Sequence, residues 1–280
     1  MIRTLLLNVC IASALLIGSA QPKSAPKAPV ATSGTLSVVA KGAGAPDDLA
    51  ISADGTIYFG DLGVNRVFAI NPDGSIKPVS PVIDAPEGIV VLDDGSLIVV
   101  EQAGNRLYHV DPTTQALSVF YGVGNKTRNP GIDSLSRDPS NGDLLIPDAP
   151  TGRILRLSAD AQHLSVIASG FRRPTAIAQA ADGTLYVCDE YGQHIDRITP
   201  DGKRSEVALI PTPDDVIMNT DGSLLVNSLR GTIWRVDPLT GKATALVTGL
   251  IEPHGIILDH NGDLLIADAK LNEILRLSGF

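Results

Sequence analysis

Cysteine is nearly absent from this sequence, which has only Cys10 and Cys188 among its 280 residues. Cys10 lies in an apolar leader that we expect to be removed, so the mature chain would keep one cysteine and form no internal disulfide. The core rather than disulfide bridges must therefore hold the fold. Cys188 follows three apolar residues of a predicted strand, where a core position is a better interpretation than a nucleophile.

Positive charge is also scarce, with 22 Lys and Arg residues against 31 Asp and Glu and a net charge of −9. This balance argues against nucleic acid or an anionic membrane as partner. It suits a cation or a cationic ligand, although a negative charge of this size is common for solubility alone. Charged residues make up 19% and apolar residues 44% of the chain, so we expect a large core rather than bulk disorder.

Long apolar runs are lacking except at the N-terminus. The apolar stretch over residues 5–18 follows Arg3 and precedes the small residues 18–20. It is short for a membrane span, so we interpret residues 1–20 as a signal peptide that directs export to the periplasm or the exterior. A retained anchor is the weaker alternative. Residues 21–33 are rich in Pro, Ala and Lys and predict a flexible tether, which leaves residues 34–280 for the folded domain.

A turn with Gly after Asp or Asn recurs every 39 to 47 residues. The six turns are Asp54-Gly55, Asp94-Gly95, Asn141-Gly142, Asp182-Gly183, Asp221-Gly222 and Asn261-Gly262. Alternating apolar residues flank each turn, which is typical of β-hairpins. Four short strands in each unit of about forty residues predict an all-β, six-bladed β-propeller. A β-sandwich with many hairpins is the alternative, but it does not explain the fixed period.

The two ends of the chain predict how the ring closes. The sixth unit ends at Phe280 after only three strands, while residues 35–42 resemble the fourth strand of an earlier unit, residues 164–170. We therefore expect the N-terminal strand, about residues 35–42, to complete the last blade and protect its edge.

One position in each unit predicts a ring of polar side chains at one end of the central channel. It lies eight residues before the turn glycine, or nine in the third unit, whose turn is longer. The six residues, called the mouth ring below, are Asp47, Glu87, Asp133, Thr175, Asp214 and His254. Four carboxylates in a partly desolvated funnel repel one another, so either some are protonated or a cation neutralises them. Hydration of a channel mouth, without further function, is the competing interpretation.

Several neighbours of the ring are candidates for the rim of a pocket. Asp48 and Asp215 adjoin two ring positions, and Arg173 and Glu190 lie in the loops of the fourth unit. Thr175 could supply a hydroxyl, and His254 suits a general base or proton shuttle.

A second set of polar residues ends the second strand of every unit. These residues are Asp61, Glu101, Asp148, Asp189, Asn227 and Asp268. Because they recur in nearly every blade, we interpret them as structural groups that accept backbone N–H bonds in the loops nearby.

The units beginning at Pro86 and Pro253, PEGIVVLDDGSLIVVEQAGNRLYHVDP and PHGIILDHNGDLLIADAKLNEILRL, resemble NHL-type repeats. Over about residues 35–280 the layout resembles the gluconolactonase and senescence marker protein family, with the paraoxonases and diisopropyl fluorophosphatases. The resemblance implies a channel calcium and hydrolysis of lactones or phosphoesters. It assigns the metal to the positions of Asp47, Asp133, Thr175 and Asp214. Only Asp214 matches outright, and Thr175 replaces an asparagine. The Pro-His-Gly around His254 is also similar to streptogramin lyases, which implies magnesium and a histidine base.

The leading hypothesis is a metal-dependent hydrolase of lactones or esters. A divalent cation, Ca²⁺ or alternatively Mg²⁺, would be held by Asp47, Asp133 and Asp214 with Glu87, and His254 and Asp214 would be catalytic. A non-catalytic NHL-type propeller that binds a ligand or a protein is one alternative, and a streptogramin-type lyase is another. We expect a small-molecule substrate, no nucleic acid and no membrane after signal cleavage, with a protein partner left open.

Overall fold

The computed structural model describes residues 28–124 and 131–280. It is all-β, with six antiparallel sheets arranged in a ring as a six-bladed propeller, which confirms the predicted fold. Within the described ranges, no helix is long and apolar enough to cross a membrane. The predicted signal peptide and the first part of the predicted tether, up to residue 27, lie outside the described residues.

Two strands precede the first blade, namely β1 (Val30–Ala31) and β2 (Thr35–Lys41). The first blade contains β3 (Pro46–Ile51), β4 (Ile57–Asp61), β5 (Arg66–Ile70) and β6 (Ile76–Pro78). The second contains β7 (Pro86–Val91), β8 (Leu97–Glu101), β9 (Arg106–Val110) and β10 (Leu117–Gly122). The third contains β11 (Ser136–Arg137), β12 (Leu144–Asp148), β13 (Arg153–Leu157) and β14 (Leu164–Ser169).

The fourth blade contains β15 (Pro174–Gln179), β16 (Leu185–Asp189), β17 (His194–Ile198) and β18 (Arg204–Leu209). The fifth contains β19 (Pro213–Met218), β20 (Leu224–Ser228), β21 (Thr232–Val236) and β22 (Ala243–Thr248). The sixth contains β23 (Pro253–Leu258), β24 (Leu264–Asp268) and β25 (Glu273–Ser278). Two 3₁₀ turns, Gln102–Gly104 and Ala149–Thr151, follow the second strands of blades two and three.

The second strand of every blade is buried along its whole length. Each is apolar at consecutive positions, as in Leu97–Glu101, because both faces of the sheet pack against neighbouring blades. The core accordingly divides into six apolar clusters, each shared by two adjacent blades. Each blade therefore depends on both of its neighbours for burial.

The N-terminal strand closes the ring as the sequence predicts. Strand β2 pairs antiparallel with β25, so that Leu36 lies opposite Leu277 and Ala40 opposite Ile274. Ala40 and Ile274 also belong to the apolar cluster that joins the sixth blade to the first. The two ends of the chain thus complete one sheet and one core cluster together.

The predicted tether ends earlier than the sequence suggested, because strand β1 lies within it. Val30 pairs with Thr248 and Ala31 with Val247 at the outer edge of the fifth blade. The backbone N–H of Thr32 also donates to the carbonyl of Leu246 at 2.8 Å. A two-residue strand is too short to show a period, so sequence patterns could not reveal it.

We expect the closing strand to be far more important for stability than strand β1. Removing β2 breaks about six backbone hydrogen bonds, each contributing about 1 kcal/mol, and exposes apolar surface. A chain that starts at residue 44 should therefore melt at least about 10 °C below one that starts at residue 28. A chain that starts at residue 34 loses only β1 and serves as the control. Equal melting temperatures for the chains starting at 34 and 44 would contradict this role.

Candidate functional site

All six residues of the mouth ring line one cavity of about 200 Å³ at the end of the central channel, called the mouth cavity below. Asp48, Asp215 and Arg173 line it too, as do three residues that sequence analysis missed: Gln102, Ser134 and Leu229. No pattern marked these three, because Gln102 lies in a 3₁₀ turn and Ser134 and Leu229 lie in loops. Glu190 lies beside the cavity and forms an ion pair with Arg173.

A strand irregularity presents the ring residues to the channel. In five blades the innermost strand shifts register just after its first proline, as between Pro46 and Leu49, so the two residues between them leave the regular ladder. Bulges of this kind re-aim side chains. In the third blade Asp133 precedes a strand of only two residues. Its carbonyl accepts from the N–H of Gly88 at 2.8 Å, which fixes it against the second blade.

His254 lies between two ring carboxylates. Its Nδ1 is 3.2 Å from Oδ2 of Asp47 and 3.3 Å from Oδ2 of Asp214. Burial alone would lower the pKa of His254, but the charge of Asp47 and the hydrogen bond to Asp214 outweigh it and raise this pKa to about 10. This raised pKa favours the protonated imidazolium of His254 at neutral pH, a form that can donate a proton; the sequence proposed either a general base or a proton shuttle at this position.

Asn227, at the end of the second strand of blade five, anchors the backbone under His254. Its Nδ2 donates to the carbonyl of Pro253 at 2.7 Å and also to the carbonyl of His254. Its Oδ1 accepts from the backbone N–H of Asp215. The amide side chain of Asn227 therefore joins the innermost strands of blades five and six next to His254, the candidate catalytic residue.

Arg173 reaches from the loop before blade four into the mouth cavity. Its Nη2 lies 2.7 Å from Oδ2 of Asp133, its Nη1 pairs with Glu190, and its guanidinium lies 5.5 Å from the ring centre of Tyr191. Gln102 Nε2 donates to Oδ1 of the same Asp133. Arg173 and Glu190, predicted separately for the rim, thus form one chain of contacts that ends on a ring carboxylate.

Burial raises the pKa of several acids of the mouth. Burial raises the pKa of Glu87 well above its usual range, and the charge of Asp133 adds to this. Burial also raises the pKa of Asp133 to about 7, although the charge of Arg173 and the hydrogen bond with Glu87 work in the opposite direction. The pKa of Asp47 is raised by burial against the effect of His254. The predicted repulsion is thus relieved by protons and by two protein cations.

Asp48, Asp215 and Thr175, suggested for the rim of the pocket from the sequence, line the cavity and are almost fully buried. Asp48 Oδ2 accepts from the hydroxyl of Ser134 at 2.9 Å, which links blades one and three across the channel. Asp215 Oδ2 accepts from the backbone N–H of Ile256 at 2.9 Å. The Thr175 hydroxyl points towards the carbonyl of Pro213 at 3.4 Å. All three connect blades to one another.

The acids that end the second strands are structural, as predicted. Asp61 accepts from the backbone N–H groups of Ala45 and Gly63 at 3.1 and 2.7 Å. Asp189 accepts from the N–H of Arg173 at 2.8 Å, which also positions that arginine. Asp268 accepts from the N–H of Ile251 at 2.8 Å.

Glu101 and Asp148 depart from this pattern and pair mainly with arginines. Glu101 lies 2.6 Å from Nη2 of Arg106, and Asp148 lies 2.8 Å from Nη2 of Arg153. Each arginine begins the third strand of the same blade. These ion pairs therefore link the second and third strands of one blade and do not bind the loop before the blade.

One group in the described residues has ligand spacing that fits a divalent cation, and it is not the predicted set. Ligand atoms of Asp189, His194 and Asp196 all lie within 4.8 Å of one another. Arg204 already approaches this group, with Nη2 2.6 Å from Asp196 and 3.5 Å from Asp189. In the mouth, no three of the described acids and histidines converge in this way.

No protein-family model matches the sequence. Over 95 residues the chain is 36% identical to virginiamycin B lyase of Nocardia farcinica, a match that covers 32% of this chain and only 33% of that enzyme. In fold, a gluconolactonase from Xanthomonas campestris aligns with a TM-score of 0.77 at 19% identity, over 86% of this chain and 88% of that one.

A catalytically inactive histidine-to-alanine variant of virginiamycin B lyase from Staphylococcus aureus, with quinupristin, aligns with a TM-score of 0.63. Its identity is 21%, over 85% of this chain and 82% of that one. The chain therefore shares the six-bladed propeller fold of gluconolactonases and virginiamycin B lyases. At identities this low the alignments show a shared fold, and the chemistry has to be inferred from the residues of the site.

The buried acids predict that folding becomes more favourable as the pH falls from 8 to 5. Burial raises the pKa of Asp215 from its ordinary 3.8 to about 7. A raised folded-state pKa gives stability that is present below the unfolded value and is lost as the pH rises through the folded one. We expect the melting temperature to fall by several degrees between pH 5 and pH 8.

Asp215→Asn should flatten this dependence, because an amide does not titrate. Asp221→Asn, at an exposed position in the same blade, is the matched control. Hydrogen bonds from Ser223 lower the pKa of Asp221, so it titrates below this window. A steeper or unchanged slope in Asp215→Asn would contradict the assignment.

Proposed function

We propose that this chain is an enzyme that hydrolyses the C–O bond of a small lactone or related ester in its mouth cavity. The observation that carries the proposal is the position of His254, whose Nδ1 lies between Asp47 and Asp214 in a cavity that also contains Arg173. Such a site presents fixed proton donors next to carboxylates, the combination that acyl transfer to water requires.

The reaction balances with groups on this chain. A ring carboxylate, Asp214, accepts a proton from water as the water oxygen bonds to the ester carbonyl carbon. Arg173 donates hydrogen bonds to the oxyanion that develops there. When the C–O bond breaks, the leaving alkoxide takes a proton from His254, and the product is a hydroxy acid. His254 is thus the general acid, and Asp214 the general base.

The size of the cavity favours a small substrate. About 200 Å³ is below the 300–1,000 Å³ typical of sites for drug-sized ligands. A single five- or six-membered lactone ring suits this volume, whereas a large cyclic peptide would have to remain outside the mouth. Nucleic acid is disfavoured by the carboxylates that surround the opening.

Elimination is the second candidate, favoured by the local 36% identity to a virginiamycin B lyase and by the inactive histidine variant of such a lyase. In this reaction a carboxylate removes a proton from the carbon next to the C–O bond. That bond then breaks to leave an alkene and a free carboxylic acid. Asp214 as the base and His254 as the proton donor could take part in either reaction, so the two reactions have to be distinguished by their products.

The calcium implied by the family resemblance is not part of this proposal. The side chains that would hold it, Asp47, Asp133 and Asp214, are engaged by His254 and Arg173. Every step above uses only groups of the chain.

We expect His254→Gln to lower kcat/KM on a panel of small lactones by about 100-fold or more, because general acid catalysis contributes about 10² to 10⁴. His163→Gln, at an exposed position outside the mouth, should keep full activity and is the matched control. Reactions in ¹⁸O-labelled water distinguish the two chemistries by mass. Hydrolysis puts one label into the product, and elimination yields an unlabelled, unsaturated product. No turnover of any lactone or ester would favour the non-catalytic binding propeller instead.

A further inference from the structure

Three of the four carboxylates proposed for a metal from sequence already contact a nitrogen atom of the protein. Asp47 and Asp214 both face Nδ1 of His254, at 3.2 and 3.3 Å. Asp133 pairs with Arg173 through both of its oxygens, at 3.0 and 2.7 Å. Charge-assisted contacts of this kind are among the stronger polar interactions in proteins.

The remaining acids of the mouth also have hydrogen-bond partners. Glu87 shares a hydrogen bond with Asp133, which also accepts from Gln102. Asp48 and Asp215 accept from Ser134 and from backbone N–H groups of their own and neighbouring strands. A cation entering the mouth would have to displace these donors.

Arg173 is held rigidly in this position from several directions. Its backbone N–H donates to Asp189, its guanidinium faces Tyr191, and Glu190 binds the nitrogen that does not bind Asp133. Its side chain is only 13% exposed, which distinguishes it from its exposed neighbour Arg172. An arginine fixed in this way is part of the site rather than a mobile surface group.

Calcium requires roughly six to eight oxygen ligands at about 2.3–2.6 Å. Between Asp47 and Asp214 that space holds Nδ1 of His254, and the guanidinium of Arg173 contacts Asp133. A divalent ion near these carboxylates would have to displace the imidazole and the guanidinium to reach their oxygens. The hydroxyl of Thr175, where the family resemblance has an asparagine, is directed to a backbone carbonyl instead.

We propose that Arg173 and His254 take the place of a metal ion in this propeller, so that the mouth operates without a divalent cation. Both side chains contact the buried carboxylates through nitrogen atoms, at the positions where a metal ion would contact them. The proposal concerns the resting state of the mouth and holds whether the reaction is hydrolysis, elimination or binding alone.

The first test uses the purified protein after dialysis against a chelator. Its melting temperature should not change on addition of 10 mM CaCl₂ or MgCl₂, and metal analysis should find no stoichiometric ion. If calcium or magnesium does raise the melting temperature, Asp214→Asn and His194→Gln locate the ion. A shift abolished by Asp214→Asn places the ion in the mouth and overturns the proposal. A shift that persists in Asp214→Asn but is lost in His194→Gln belongs to the other group and upholds it.

The second test converts the mouth into a metal site. Arg173→Gln frees Asp133 and Glu190, and the variant should bind calcium weakly. With a Kd on the order of 1 mM, 10 mM calcium raises the melting temperature by about 3 °C. Arg172→Gln removes the same charge from an exposed neighbour without freeing a mouth carboxylate, so it should show no shift.

His254→Gln provides an independent variant, because it frees Asp47 and Asp214 and should also gain a calcium-dependent shift. If neither variant gains one while both fold, the two cations are not what closes the mouth to a metal, and the proposal is wrong. A shift of the same size in Arg172→Gln would also overturn it, since net charge alone would then explain the binding.

Discussion

The structure depends on the burial of both faces of every blade. A four-stranded sheet whose second strand is apolar at consecutive positions cannot leave either face in water, so each blade requires a neighbour on both sides. Only a closed ring satisfies this condition for the first and the last blade. The pairing of β2 with β25, and the cluster shared by Ala40, Leu49 and Leu265, supply that closure. The central channel and its mouth exist because the ring closes.

Closure also creates the electrostatic problem at the centre of the site. One side chain from near the start of each innermost strand reaches the mouth cavity, and four of these six side chains are carboxylic acids. Taking several carboxylates out of water is costly unless they are protonated or paired. In this protein burial raises the pKa of Glu87, which favours its protonated form, and Asp47, Asp133 and Asp214 contact nitrogen atoms of His254 or Arg173. The same pairs are the groups with which the mouth could act on a carbonyl.

The similar structures show that the propeller fold alone does not determine which reaction a protein catalyses. The same arrangement of six blades occurs in a gluconolactonase and in a virginiamycin B lyase, at identities of about one fifth. The chemistry of a protein with this fold therefore has to be argued from the side chains of its own site. In this chain His254 of blade six and Arg173 before blade four contact the carboxylates of the mouth.

The sequence by itself determined the fold, because Asp-Gly and Asn-Gly turns and consecutive apolar residues are local signals that repeat at a fixed spacing. It also determined the closing strand and the six positions that converge on the channel, since equivalent positions in a ring must meet. Only the tertiary structure decided the partners of those side chains. The contacts of His254 with two aspartates and of Arg173 with Asp133 join residues 40 or more positions apart, and the spacing of the repeat does not specify which side chains pair. Strand β1, two residues long, likewise exists only because the fifth blade offers an edge to it.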